Sequence, residues 1–167
     1  MANMILTYKF INQREMILEG NRMSCEAHLC TEKGKQFGHT FILDTGAIIS
    51  TLSRNMYDLN REYFTIIKTG SKIGGFSGAS ILGFVVAVHR VLLGGLNTKN
   101  SMFFVPNEEK EGKPFPSVLG ANVLNFIVPY PDFKHSKIWF IQNTDVPPPY
   151  VSPSLGTTIT SAALIQD

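Results

Sequence analysis

The chain has 167 residues, of which 44% are hydrophobic and 17% are charged, and its formal net charge is +2. These proportions are typical of one globular domain with enough apolar side chains for a core. The basic residues are scattered, and no apolar run approaches the roughly 20 residues that a membrane-spanning helix needs. We therefore expect a soluble protein that binds neither nucleic acid nor membrane. No signal peptide is visible at the N-terminus, which predicts an intracellular, cytoplasmic protein.

Short strand-like runs separated by turn residues predict an all-β chain. In chain order, the first runs are MILTYKFI (4–11), RMSCEAHLC (22–30), FGHTFILD (37–44) and YFTIIKTG (63–70). Residues 71–95 contain two strand-like runs around a glycine-rich tip at 74–78, which predicts a long hairpin. The remaining strand-like runs are MFFVP (102–106) and KIWFIQ (137–142).

Two segments have helical character. LSRNMYDLN (52–60) predicts either a short helix or an irregular loop, and VLGANVLNFI (118–127) predicts a strand that turns into a short helix after Gly120. The run NEEKEGK (107–113) is rich in charge and predicts a solvated loop. From residue 146 the chain is rich in Pro, Ser and Thr, so we divide it into a domain at 1–145 and a disordered tail at 146–167.

The cysteines do not predict a metal centre. Cys25 and Cys30 flank His28 in SCEAHLC, but no second Cys/His pair follows at zinc spacing. Residues five apart on a strand also point to opposite faces of the sheet. We interpret both cysteines as ordinary thiols and expect neither a metal nor an organic cofactor.

Asp44 lies in an unusual position, because FILDTGAIIS (41–50) places an acid and a glycine between two apolar runs. Burial of an unpaired carboxylate costs roughly several kcal/mol. Two interpretations remain open at this point. Asp44 either caps its own backbone in a turn that leaves the strand, or it is a working acid.

Two further segments carry a resemblance to a known family. KIGGFSGA lies about thirty residues after Asp44, and SVLGANVL lies about seventy-five residues after it. With ILDTGAIIS, these segments resemble, in order and spacing, the catalytic loop, flap and supporting segment of retropepsins. Retropepsins are the single-domain aspartic proteases of retroviruses, retrotransposons and their cellular relatives. The resemblance covers roughly residues 20–142. It implies a small closed β-barrel or sandwich with one short C-terminal helix, active as a C2 homodimer.

The resemblance assigns roles to the first motif. Asp44 matches the catalytic aspartate, and Thr45 matches the residue whose hydroxyl crosses the dimer interface. Gly46 matches the glycine beside the catalytic water, and Ala47 matches the variable fourth position at the substrate. Behind this loop, Leu119, Gly120 and Asn122 match the supporting segment, in which many relatives have Asp instead of Asn.

The second motif resembles the flap that closes over a bound peptide and offers it backbone groups. The matching substrate-binding residues are Gly74, Gly75, Phe76, Ser77 and Gly78.

Catalysis of this kind requires a second carboxylate. One ionised acid takes a proton from water while a protonated partner polarises the scissile carbonyl. No other Asp in the chain is followed by Thr-Gly or Ser-Gly. The resemblance therefore implies a homodimer in which Asp44 of each subunit meets its copy at the two-fold axis.

The implied function is an aspartic endopeptidase that acts on an extended peptide or protein. The alternative is a retropepsin-like dimerisation or peptide-binding module that has lost turnover. Cleavage of an unfolded protein, suppressed by an inhibitor that mimics the tetrahedral intermediate, would distinguish them.

Overall fold

A computed structural model describes residues 12–15, 17–19, 22–74, 80–109 and 113–143. Its strands are β1 Asn12–Glu15, β2 Ile17–Glu19, β3 Arg22–Cys30, β4 Gln36–Leu43, β5 Ser50–Thr51, β6 Phe64–Gly74, β7 Ser80–Leu93, β8 Leu96–Pro106, β9 Val118–Leu119, β10 Ile127–Asp132 and β11 Lys137–Gln142. The helices are α1 Arg54–Leu59 and α2 Ala121–Leu124, and a 3-10 turn spans Arg61–Tyr63. In this part of the chain, no helix is long and apolar enough to cross a membrane.

Six of the strands close into a barrel, which confirms the predicted all-β fold class. β3 pairs with β4, β4 with β9, β9 with β5, β5 with β8 and β8 with β7, and β7 returns to β3. The closing contact pairs Leu29 with Val91. Within the barrel each of these six strands has a neighbour on both sides, whereas the start of β7 extends beyond β8 and pairs there with β6, the outer strand of a long hairpin.

The core fills the barrel because alternate side chains of each strand point inward. On β3 the inward residues Cys25, Ala27 and Leu29 are fully buried, and on β4 Phe41 packs against Phe103 of β8 at a ring separation of 5.8 Å. Burial raises the pKa of the other thiol, Cys30, although the charge of Arg90 acts against this. No group of three metal-ligating side chains occurs among the described residues.

A second, three-stranded sheet has the order β1-β11-β10. The predicted strand KIWFIQ is β11, whereas β10, which contains Pro129 and Pro131, was not predicted from the sequence. Both prolines are tolerated because β10 is an edge strand and pairs only with β11. One face of β10 exposes Val128 and Tyr130, with exposed fractions of 38% and 59%.

Both predicted helical segments contain a helix. α2 begins directly after Gly120, as the sequence predicts. The open choice at residues 52–60 is decided in favour of a helix, since α1 begins after Ser53, whose side chain accepts a hydrogen bond from Met56 N at 3.3 Å. A polar N-cap of this kind satisfies an otherwise unpaired N–H group in the first turn. The predicted strand at 4–11 and the tail boundary at 145/146 lie outside the described residues.

Gly83, on the β7 arm of the long hairpin, allows β7 to lie close to β8. A Cβ atom added there would overlap the carbonyl oxygen of Val105 and the ring of Phe104, whereas one added to Gly74 meets no described atom within 4 Å. We expect Gly83→Ala to lower the free energy of unfolding by about 1–3 kcal/mol, because overpacking must displace the neighbouring strand. Gly74→Ala, on the same hairpin, is the matched control and should unfold at an unchanged or slightly higher urea concentration. Equal urea midpoints for the two variants would contradict this account.

Candidate active site

Asp44 lies at the rim of the barrel, immediately after β4 ends at the buried Leu43. Asp44, Thr45 and Gly46 are all exposed in the single chain. Although Asp44 stands between two apolar runs in the sequence, it is not buried in the single chain, because the chain turns at the strand end rather than continuing through the core. Burial of Asp44 would require another molecule to cover the rim.

The turn that carries Asp44 is closed by two hydrogen bonds. Gly46 N donates to Asp44 Oδ1 at 2.9 Å, and Ala47 N donates to the carbonyl oxygen of Asp44 at 3.2 Å. The first is the self-capping contact that the sequence left open as an alternative to catalysis. It uses one carboxylate oxygen, and Oδ2 accepts no hydrogen bond from the described residues. The cap thus orients the carboxylate and leaves one of its oxygens available.

Both limbs of this turn are attached to one segment, residues 117–122. On the incoming limb, β4 runs parallel to β9, and Asp44 N donates to Leu119 O at 3.1 Å. On the outgoing limb, Ala47 O accepts from Ala121 N at 2.7 Å. These contacts place Leu119 and its neighbours behind the Asp44 turn, the position predicted for the supporting segment.

Gly120 is required by the closeness of this contact. A Cβ atom at Gly120 would lie 2.5 Å from Ala47 O and 2.9 Å from the carbonyl carbon of Ile49. Real Cβ atoms do not approach backbone atoms so closely, and backbone cannot move aside as a flexible side chain can. Glycine at this position lets the turn and the supporting segment pack directly against each other.

Asn122 connects three parts of the site through its side-chain amide. Its Oδ1 accepts hydrogen bonds from Ser50 N at 2.7 Å and from Ser50 Oγ at 2.8 Å, and its Nδ2 donates to Met102 O at 2.8 Å. Ser50 Oγ also receives a hydrogen bond from Gly120 N at 3.0 Å. Ser50 is completely buried, whereas Asn122 and Met102 are half-buried, so the Ser50 end of this network is shielded from water. Ser50 carries no motif that would identify it in the sequence, because its partner Asn122 lies 72 positions away.

The long hairpin packs against the segment that follows Asp44. Ile49, Val85 and Phe104 form a small apolar cluster, and Ile73 and Ile81, one from each arm of the hairpin, pack against it. Gly74 ends β6 and is partly buried. The other predicted flap residues, Gly75, Phe76, Ser77 and Gly78, lie outside the described residues, so their role stays a prediction.

The described parts of the loop at 107–117, residues 107–109 and 113–117, are linked to each other and to α1 by hydrogen bonds. Glu109 Oε1 accepts hydrogen bonds from Arg54 N at 2.6 Å and from Phe115 N at 3.1 Å. Arg54 Nη1 in turn donates to Asn107 O at 2.8 Å. The interpretation of the run as a solvated loop is therefore wrong for Glu109, because its carboxylate satisfies two backbone N–H groups. Charge composition alone cannot distinguish such a carboxylate from its exposed neighbour Glu108.

The shifted pKa values belong to groups away from the Asp44 turn. Partial burial lowers the pKa of His39, which lies on the core-facing side of β4. For Asp58 of α1, burial acts to raise the pKa, but hydrogen bonds and charges from Arg54 and Arg61 outweigh it and lower the pKa. The shift of His39 reflects its burial, and the shift of Asp58 reflects its ion pairs with two arginines. Neither shift assigns an acid–base role to the residue.

The chain matches no protein-family model and no curated protein. Among solved structures, it is similar to the crystal structure of a retropepsin-like aspartic protease from Rickettsia conorii. The TM-score is 0.48 and the sequence identity is 15%, over 77% of this chain and 87% of that chain. At 15% identity, residue roles are not transferred from that protein and are argued from the geometry of this chain.

Proposed function

We propose that this chain is an aspartic endopeptidase that hydrolyses peptide bonds with water activated by two Asp44 carboxylates, one from each subunit of a homodimer. The observation that carries the proposal is the exposure and the hydrogen bonding of the Asp44 carboxylate. Its carboxylate is exposed at the barrel rim, with Oδ1 held by Gly46 N at 2.9 Å and no described hydrogen bond to Oδ2. An acid that is fixed in direction and has an available oxygen is suited to general acid–base chemistry.

The chemistry divides between the two copies of Asp44. The ionised copy takes a proton from a water molecule, and the resulting nucleophile attacks the carbonyl carbon of the peptide bond. The protonated copy donates a hydrogen bond to the carbonyl oxygen and stabilises the negative charge that develops there. Thr45 and Gly46 complete the turn beside the carboxylate, and Ala47 would face the bound peptide.

Dimerisation is proposed because one subunit supplies only one suitable acid. The chain has a single Asp-Thr-Gly, and two-fold symmetry brings a second copy of the same surface to the axis. The exposed apolar face of β10, with Val128 and Tyr130, offers further surface that a partner could cover. Covering the rim would also remove water from Asp44.

A peptide-binding module without turnover is the second candidate. The hydrogen bond from Gly46 N gives Asp44 a structural role that does not require catalysis. Such a module would keep the barrel, the dimer and the hairpin but would not cleave the bound chain.

Incubation with an unfolded protein separates the two candidates. We expect the chain to produce peptide fragments, and we expect a statine-type inhibitor, whose hydroxyl mimics the tetrahedral intermediate, to suppress them. A metal chelator serves as the control and should leave cleavage unchanged. Sedimentation with and without the inhibitor should show a dimer that the inhibitor strengthens. Inhibitor binding without any cleavage by the wild-type protein would favour the inactive module.

A further inference from the structure

A pocket of about 510 Å³ lies between the start of β7 and the loop at 107–117. Ile81, Leu82 and Phe115 supply apolar surface, together with Pro114 and Pro116. Leu82 is 47% exposed, which is high for a leucine that lines a concave site. The charged residues of the lining have both signs: Glu108 and Lys113 are exposed, and Glu109 is half-buried.

At Ser80, where β7 borders this pocket, the described residues pair with β7 on its β6 side but not on its β8 side. The last β7–β8 pair is Gly83 with Pro106, followed by a hydrogen bond from Asn107 N to Leu82 O at 3.0 Å. Backbone groups alternate in direction along a strand, so those of Ser80 point to the same side as those of Leu82. On that side β8 has ended, and the described residues offer Ser80 no hydrogen bond. The N–H and C=O groups of Ser80 therefore face the pocket, at the positions where a further strand would pair with β7.

The opposite wall of the pocket is held in place by side-chain contacts. Glu109 receives hydrogen bonds from Arg54 N and Phe115 N, and Arg54 donates to Asn107 O. The ring of Phe115 packs at 6.3 Å from that of Phe104, which belongs to the same cluster as Ile49. The wall is thus connected through packed side chains to the segment that follows Asp44.

We propose that this pocket binds a distal part of the extended peptide substrate, several residues from the cleaved bond. The peptide backbone pairs with Ser80 and continues the sheet beyond β8, and one apolar side chain of the peptide fills the space between Leu82 and Phe115. Strand addition at an unpaired edge, with pockets for alternate side chains, is a common mode of peptide recognition. The inference depends on the proposed function for the identity of the ligand, but binding can be measured without hydrolysis.

The test compares a short and a long peptide. The short one, of about six residues, spans only the cleaved bond, and the long one adds about four alternating apolar and polar residues at either end. We expect the extension at one end to raise kcat/KM by about tenfold, mainly through KM, as expected for one buried apolar side chain. In Leu82→Glu the ratio of kcat/KM for the long peptide to kcat/KM for the short peptide should fall to near one. Ser80→Pro should have the same effect, because it removes the N–H donor at an edge position that tolerates proline.

Leu59→Glu is the matched control, because Leu59 is an exposed leucine outside the pocket, at 72% exposure. This variant should keep the tenfold ratio. An unchanged ratio in both Leu82→Glu and Ser80→Pro would overturn the proposal. Concentration-dependent self-association that is lost in Leu82→Glu, without a change in the ratio, would assign the pocket to a second copy of the chain and would also overturn it.

Failure of the proposed function is recognised separately. If the wild-type protein cleaves no peptide, fluorescence anisotropy of the labelled peptides with the wild-type protein and Leu82→Glu measures binding alone. Tighter binding of the long peptide, lost in Leu82→Glu, would support the pocket although the protease assignment had failed. Equal affinities for the two peptides would overturn the pocket assignment.

Discussion

Replacement of Asp44 by Asn is expected to lower kcat/KM for peptide hydrolysis by at least about 10⁴-fold, because it removes both the general base and its acidic partner from a symmetric dimer. The fold should persist, since the amide oxygen of Asn can still accept the hydrogen bond from Gly46 N that closes the turn. Assays with a labelled peptide and urea unfolding of the same preparation measure the two effects.

The matched control for this variant is Glu62→Gln, which neutralises an exposed carboxylate paired only loosely with Lys35 at 3.5 Å. Glu62→Gln should retain full activity. Residual hydrolysis by pure Asp44→Asn at a rate comparable to the wild type would end the protease assignment.

A mixing experiment tests whether two subunits share one catalytic centre. An equal amount of Asp44→Asn, added to the wild type and left to exchange subunits, should reduce activity to about one half, because random pairing puts half of the wild-type subunits into mixed dimers. Addition of Glu62→Gln should increase total activity. Activity that is unchanged by Asp44→Asn, after sedimentation has shown subunit exchange, would mean that each subunit works alone.

Replacement of Asn122 by Ala should lower the free energy of unfolding by about 1–3 kcal/mol, because it leaves the buried Ser50 N and the half-buried Met102 O without their partner. At temperatures where the variant stays folded, we expect hydrolysis to weaken as well, since the Asp44 turn packs on the segment that contains Asn122.

Asn122→Asp is the matched control for this position. It keeps an oxygen for Ser50 N and Ser50 Oγ, but its second carboxylate oxygen faces Met102 O and repels it unless the carboxyl is protonated. We expect Asn122→Asp to be less stable than the wild type at neutral pH and to regain stability relative to the wild type as the pH falls, because the protonated carboxyl can donate to Met102 O. A difference in urea midpoint that does not change with pH would contradict this account.

Local chemistry made much of the fold predictable from the sequence. Alternating apolar residues identify β3, β11 and the long hairpin, and a glycine followed by helix-forming residues identifies the start of α2. β10 was missed because Pro129 and Pro131 are typical of a loop. They fit a strand only at a sheet edge, and edge position depends on pairing with β11, which a single segment does not reveal.

For the candidate site, the sequence by itself determined that Asp44 leaves a buried strand, enters a tight turn and has no second Asp-Thr-Gly to pair with. These are properties of neighbouring residues, and the self-capping contact to Gly46 depends on the same short stretch. Only the tertiary structure decided that Asp44 is exposed in the single chain, that Ser50 donates hydrogen bonds to Asn122 from 72 positions away, and that Glu109 accepts hydrogen bonds from two backbone N–H groups. The physical reason is that burial and hydrogen-bond partners depend on how distant strands close the barrel, and that closure follows from the packing of the whole chain.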